Sequence, residues 1–299
     1  MKVFDCITYF DEPMLFEIRL NILDKYVDQF IVSEATYTHS GSKKKIKFNK
    51  DLYPNFKKKI KHVIVDELPK NIIPLVKDDN YKNQMINRIN AIRRIEYQRN
   101  LLLNGLKDVK PNDWIIYSDS DEIPNLEKVN LSKIKESKLL FKQKMFYYKF
   151  NFGLPSLEWF GSKATKYESL VTFSELRNIK PKKYNWWRVD TFFMKNKFIG
   201  IKIIEDGGWH FTELKTAEQI LEKHRNDEHH DEFDQTGIDK SIIKNMIKNK
   251  FIPYNHKIDQ KNWKKKWNKA NKISLTKIDD KYLPNYIVEN KKKYINWFN

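Results

Sequence analysis

Two aspartates one residue apart, Asp119 and Asp121, close a short apolar run in Trp114-Ile-Ile-Tyr-Ser-Asp-Ser-Asp-Glu-Ile-Pro124. The run from Trp114 to Tyr117 is too short for a helix and reads as a buried strand. Pro124 keeps that strand from continuing far. In extended chain, residues i and i+2 point the same way. The two carboxylates are therefore expected together at a strand's C-terminal end, where open α/β sheets place their ligands. Paired carboxylates suit a hard divalent cation and, through it, a diphosphate. That is chemistry on a nucleotide or phosphate substrate. The plainer alternative is a solvated acidic turn.

Positioning such a pair takes a sheet. Residues 2–10, 29–34 and 61–66 read as strands, and 35–42, with Gly41, as a polar loop. Residues 14–23 carry Leu15, Ile18 and Ile22 at helical spacing, with Asp11 as the expected N-cap and Pro13 in the first turn. A long helix is expected over 83–106, with Gly105 near its C-cap. The order β-α-β-β-α-β predicts an α/β fold, Rossmann-related, with a mainly parallel sheet and helices on both faces. Beyond it, 139–150 and 190–204 read as strands around an aromatic, basic region holding Trp159, Trp186 and Trp187. Thr216 and Gln219 have capping-box spacing ahead of a helix ending near His224, and 240–248 is another helix. The tail from Asn262 is rich in Lys and Trp and has no clear periodicity.

The chain has 299 residues, 40% of them apolar, enough for one large α/β domain or a domain with an added lobe. It holds only 8 glycines, and no glycine-rich phosphate loop occurs. The formal charge of +18 allows an anionic partner such as nucleic acid, anionic lipid or a nucleotide. Lysine runs at 43–45, 57–59, 264–266 and 291–293 are scattered, however, and no nucleic-acid module accompanies them. A lysine-rich solvated surface is the simpler reading, with no specific nucleic-acid partner. Cys6 is the only cysteine, which excludes an internal disulfide, points to a reducing compartment, and places Cys6 in the core of the first strand. Asp5, Asp11 and Glu12 break any signal-peptide core, and no stretch reaches membrane-span length. A soluble cytoplasmic protein is expected, with peripheral membrane contact through its tail as an added reading.

Four segments carry a family resemblance. They are Asp5-Cys-Ile-Thr-Tyr-Phe-Asp-Glu with Glu17-Ile-Arg-Leu-Asn21; Val32-Ser-Glu-Ala-Thr-Tyr-Thr-His-Ser-Gly41; Gln98-Arg-Asn100 leading to Ser118-Asp-Ser-Asp-Glu-Ile-Pro124; and Gly207-Gly-Trp-His-Phe-Thr212 followed by His230-Asp-Glu232. In this order the chain resembles glycosyltransferase family 17, the group that includes the β-1,4-mannosyl-glycoprotein 4-β-N-acetylglucosaminyltransferases. The likeness runs over roughly residues 3–250 and leaves the tail outside. Lacking an N-terminal anchor and lumenal cysteines, the chain looks like compact soluble members from microbes or viruses. The resemblance implies a GT-A fold, a nucleotide-sugar donor (a UDP-sugar), Mn²⁺ or Mg²⁺, and inversion at the anomeric carbon. The acceptor would be a glycan or glycolipid hydroxyl, and N-acetylglucosamine is one candidate sugar. The corresponding division is a GT-A-like domain over 1–260, with a nucleotide-sugar half (1–125) and a smaller acceptor half (126–260), then an extension over 261–299.

The resemblance also distributes roles. Asp121 is the first choice as direct metal ligand, and Asp119 either holds the ribose or reaches the metal through water. His210 is the further ligand, with His230 as rival. Glu34 and Thr36 border the nucleotide base, and Arg99 with Asn100 reaches the donor's ribose or phosphate, since Arg suits bidentate phosphate contacts. Arg94, on the same helix, reads either as a further donor contact or as a solvated helix residue. An inverting transferase needs a general base for the acceptor hydroxyl. Asp206 and Glu232 are the candidates, with Glu205, Asp231 and Glu175 behind them. Trp159, Trp186, Trp187 and Trp209 are candidates to stack on a sugar, and Trp209 is the one expected to do so, because of its neighbours.

Two other classes fit parts of the pattern. A haloacid-dehalogenase-type phosphohydrolase also places Asp-x-Asp after a strand, with the first Asp as nucleophile; here no clear downstream acidic motif follows. A basic nucleic-acid- or membrane-binding protein would rest on charge alone.

Overall fold

The computed structural model describes residues 1–181, 200–227, 229–256 and 272–299. Trp186, Trp187 and most of the strand expected over 190–204 lie outside the described residues. The apolar runs of the first half become β1 (Val3–Thr8), β2 (Gln29–Ala35), β3 (Ile60–Val65) and β4 (Trp114–Asp119). They pair in parallel in the order β3-β2-β1-β4, with Thr8 opposite Asp119. Parallel neighbours need long crossovers. These are α1 (Pro13–Leu23), between β1 and β2, and α2 (Asn80–Asn100), between β3 and β4.

Both helices start differently from expectation. Glu12, not Asp11, is the N-cap residue of α1, and its carboxylate folds back to accept from the Phe10 and Asp11 amides. Asp79 caps α2 by accepting from the Lys82 amide at 2.9 Å, which begins the helix at Asn80, three residues early. The C-terminal end tightens into a 3-10 helix, Leu101–Gly105, in place of regular helix.

The second half extends the same sheet. Its strands are β5 (Glu122–Pro124), β6 (Lys138–Tyr147), β7 (Phe152–Gly153) and β8 (Trp159–Lys166), then β9 (Ile201–Ile204) and β10 (Gly208–Thr212) after the short helix α3 (Phe173–Asn178). β8 lies antiparallel between β4 and β6; β9 and β10 run parallel to β6. The pattern conceals β8, because both of its faces are buried, yet Ser162, Lys163 and Thr165 interrupt the apolar run that a buried strand would show. The fold is the expected mixed α/β architecture: a large, mainly parallel sheet flanked by helices.

One sheet face packs on α1, where Leu15, Phe16 and Ile18 meet Val3, Ile7 and Trp114. The other carries Phe4, Cys6, Ile115 and Tyr117 against Leu102, Phe173 and Leu176. Cys6 is thus a core residue. Helices α4 (Ala217–Asn226), α5 (His230–Thr236) and α6 (Lys240–Lys248) form a smaller cluster over the ends of β6 and β10. Thr216 and Gln219 complete the expected capping box. The strands β11 (Phe251–Ile252), β12 (Ile273–Ser274) and β13 (Thr276–Lys277) lead to α7 (Asn285–Glu289). The end of the chain is packed: Leu283, Ile287, Tyr294 and Phe298 join the α1 face of the core.

Candidate active site

The parallel ends of β1 and β4 open into a cleft of about 640 Å³. Thr8, Arg99, Asp119, Asp121, Arg177 and His210 are among its walls. The paired aspartates therefore sit where the strand pattern placed them, but their surroundings differ. β4 ends at Asp119, whose amide donates to the buried Glu122 carboxylate at 3.0 Å and turns the chain at once.

Asp119 accepts from Tyr117 Oη at 2.7 Å and from Arg177 Nε and Nη2 at 3.0 and 2.7 Å, with Arg99 Nη2 3.8 Å away. Burial disfavours its charge, but Arg177, Arg99 and the Tyr117 hydroxyl outweigh it and hold its pKa far below the carboxylate range. Asp121 has Oδ1 3.3 Å from His210 Nε2 and Oδ2 3.8 Å from Lys223 Nζ. Burial again opposes ionisation; His210 and Lys223 prevail and lower the Asp121 pKa. For His210, burial opposes charge and the Asp121 carboxylate more than compensates, raising its pKa.

Strand β10 delivers His210 between β5 and β6, opposite Glu122. The two glycines before it serve close approach: a Cβ on Gly208, at φ +134°, would run into the Ile123 carbonyl oxygen. Between the rival histidines, the geometry brings His210 to Asp121. His230 instead lies on α5, beside Asp231 at 3.4 Å. Alternation along β10 also reverses the expectation for Trp209. Its ring faces the core, and Nε1 donates to the Tyr282 carbonyl at 2.7 Å. Among the described residues the tryptophan in the cleft is Trp159, 5.0 Å from the His210 ring and donating to Glu122 Oε1 at 2.8 Å.

The other expected residues divide. Arg99 lines the cleft and donates to Tyr117 Oη at 2.8 Å. Asn100 does not line it; its Oδ1 accepts from the Ser174 amide at 2.9 Å and anchors α3, which carries Arg177. Glu34 is fully buried and binds Lys44 Nζ and the amides of Lys47 and Phe48. Thr36 binds the Val65 carbonyl. Both hold the loop whose Tyr37, His39 and Lys44 do reach the cleft. Arg94 is not a solvated helix residue: it is buried, donates to the His39 carbonyl at 3.0 Å and packs on Gly41.

The expected general bases are not gathered at the aspartates. Asp206, at the opposite end of β10, is exposed and paired with Lys144. Glu205 pairs with Lys142 at 3.2 Å. Glu232 pairs with Arg88 at 2.9 Å, and Asp231 accepts from Asn87 at 3.0 Å. Glu175 sits in the first turn of α3. None of the five lines the cleft. The sequence reading missed Arg177 and Lys223, which no motif marks, and preferred Trp209 to Trp159; the capping box located the helix bearing Lys223 without indicating its face.

Among the described residues no group of three or more His, Cys, Asp and Glu is disposed to hold a metal. Asp121 and His210 nevertheless fit a cation that takes its remaining ligands from a substrate. Two ligands at about 2.1 Å from one ion, at right angles, stand about 3 Å apart, close to the observed 3.3 Å. Arg99, Arg177, Lys44 and Lys223 give the cleft cationic walls that suit phosphate oxygens.

A family model described as Glycosyltransferase family 17 matches residues 1–297, including the lysine-rich tail. No curated protein matches significantly. Among solved structures, the chain is similar to HddC from Yersinia pseudotuberculosis at 10% identity and a TM-score of 0.32, covering 69% of this chain and 90% of that one. The same protein complexed with GMP-PN gives 9% identity and 0.31 over the same shares. Among the described residues no helix is long and apolar enough to cross a membrane. With the family model spanning nearly its whole length, this chain belongs to glycosyltransferase family 17 and is a glycosyltransferase.

Proposed function

We propose that the chain is an inverting, metal-assisted transferase of the GT-A type. It would move a sugar from a UDP-sugar to a hydroxyl of a glycan or glycolipid, with N-acetylglucosamine a candidate sugar. The observation that carries this is the cleft at the β1 and β4 ends, where Asp121 and His210 stand together among Arg99, Arg177 and Lys223. Asp121 and His210 would hold Mn²⁺ or Mg²⁺, which when bound neutralises charge on the departing diphosphate. The cationic side chains orient the phosphates. Asp119 has acceptor capacity left on Oδ1 beyond its bond from Tyr117. That oxygen suits a ribose hydroxyl.

The phosphohydrolase alternative needs Asp119 as nucleophile. Its Oδ2 takes two bonds from Arg177 and its Oδ1 one from Tyr117, which stabilises the carboxylate and blunts attack. The test is a thermal-shift screen of UDP, GDP, CDP and their sugars with and without Mn²⁺, followed by transfer assays. A ligand that binds only the native state raises the melting temperature. A cation-dependent shift with UDP, lost in Asp121→Ala, is expected. No shift with any nucleotide would defeat the reading.

A further inference from the structure

A second, smaller chamber of about 190 Å³ adjoins the cleft. Lys223, Asp227, His229 and Tyr254 line both, so the two spaces share a wall. The chamber forms at the C-terminal ends of β6 and β10, a parallel pair in which Tyr147 stands opposite Thr212. Its position repeats that of the cleft, which forms at the ends of the parallel pair β1 and β4.

Both strands end the same way. The residue after β6, Tyr148, has φ +63°, and the residue after β10, Glu213, has φ +57°. Neither is glycine, and non-glycine residues adopt this region at a cost that the surrounding structure must offset. The strain turns both side chains into the chamber.

Glu213 is 8% exposed, and its two oxygens are treated differently. Oε1 faces Lys223 Nζ at 3.2 Å and His224 Nε2 at 3.6 Å. Oε2 is buried with no hydrogen-bond partner. Buried carboxylate oxygens are rarely left so. The Lys223 ammonium that meets Oε1 also lies 3.8 Å from Asp121 Oδ2. One cation therefore bridges the proposed diphosphate-holding carboxylate and the open one. Tyr147, Tyr148, Tyr254 and His256 line the chamber with Glu213, as do Phe233 and Ile243. Aromatic rings beside a carboxylate oxygen with no partner suit a pyranose, which offers C–H faces and hydroxyl donors.

We propose that this chamber is the acceptor subsite, that it takes a sugar ring, and that Glu213 Oε2 binds and deprotonates the attacking hydroxyl. This deepens the glycosyltransferase reading and rests on it. In the step, the acceptor oxygen bonds to the donor's anomeric carbon as the bond from that carbon to the diphosphate oxygen breaks. The diphosphate leaves with the electron pair, and the hydroxyl proton passes to Glu213.

The experiment uses the full chain and Glu213→Gln, which keeps the shape and removes the charge. Binding of methyl glycosides of mannose, galactose, glucose and N-acetylglucosamine is followed by saturation-transfer NMR; UDP with Mn²⁺ is followed by thermal shift. Wild type is expected to bind at least one glycoside. Glu213→Gln should weaken that binding by roughly ten- to a hundredfold and leave the UDP shift intact. With a donor identified, transfer should fall by about 10²- to 10⁴-fold, the scale of a lost general base. A wild type that binds no glycoside, or a variant that binds and transfers like wild type, overturns the assignment. Glycoside binding that depends on Glu213, without any nucleotide shift, keeps the chamber and removes the UDP-sugar and cation reading of the cleft instead.

Discussion

Arg177 donates through both Nε and Nη2 to one oxygen of Asp119, at 3.0 and 2.7 Å, so the first carboxylate of the acidic pair enters the cleft already neutralised. Among the described residues the second, Asp121, meets His210 at 3.3 Å and Lys223 at 3.8 Å. Two residues that look equivalent in the sequence thus differ in their surroundings: Asp119 is tied to α3 through Arg177, and Asp121 is the one proposed to meet the cation.

Removing Arg177 should expose that difference. Arg177→Ala leaves Asp119 with Tyr117 and a distant Arg99, and leaves Glu122 without one partner at 3.3 Å. Asp119 is about one-third exposed. Allowing for that screening, the cost should be about 1–3 kcal/mol in denaturant unfolding, with nucleotide binding weakened too. A variant with unchanged stability would show that Arg177 contributes little to the wall.

Asp121→Ala should abolish the Mn²⁺-dependent part of any nucleotide thermal shift while changing the fold little. Chelation of wild type with EDTA should mimic it, and added Mn²⁺ should restore wild type alone. Transfer that survives both treatments would assign the diphosphate to Arg99, Arg177 and Lys223 without a cation.

Arg19, in the Glu17-Ile-Arg-Leu-Asn21 segment, is a stability prediction. It is fully buried and donates to Asp5 at 2.5 and 2.6 Å, to Ser118 Oγ at 3.0 Å and to the Glu122 carbonyl. It ties α1 to β1 and to the turn that carries the aspartates. Arg19→Met should cost about 3–5 kcal/mol by stranding Asp5. Asp5→Leu in the same chain should recover part of that. If the double variant is no better than the single one, stranded charge is not the cause.

Lys163 gives a pH dependence. Burial, joined by repulsion from Arg177, pushes its pKa from 10.5 down to about 7. Its Nζ donates to the Arg177 carbonyl. Between these two values the unfolded chain binds more protons than the folded one, so stability rises with pH across that window. Below about pH 7 both states hold the proton and this slope ends. Lys163→Met should flatten the rise in melting temperature between the two values; identical pH profiles for the two proteins would contradict it.

A net charge of +18 should draw the chain to anionic vesicles at low salt. Sedimentation with phosphatidylserine vesicles is expected to fall steeply as salt rises. Absence of binding at low salt takes the membrane off the list of partners. Deleting the tail is the wrong variant, because Leu283, Ile287 and Phe298 are core residues.

Local signals were enough for much of this molecule. The apolar runs, their order and the acidic turn specify four strands, their crossovers and the end at which Asp119 and Asp121 lie, because burial and backbone geometry leave a period in the chain. The glycines before His210 likewise record a close approach. What they do not record is which distant side chain completes a charge. Arg177, Lys223 and Glu213 come to the cleft and its neighbour from α3, α4 and the end of β10, with no spacing to mark them. Trp209 and Trp159 look alike as residues, yet one faces the core and the other the cleft, and only the pairing of their strands decides it. Hydrophobic periodicity is a local imprint of burial; ion pairing is set by where separate elements dock.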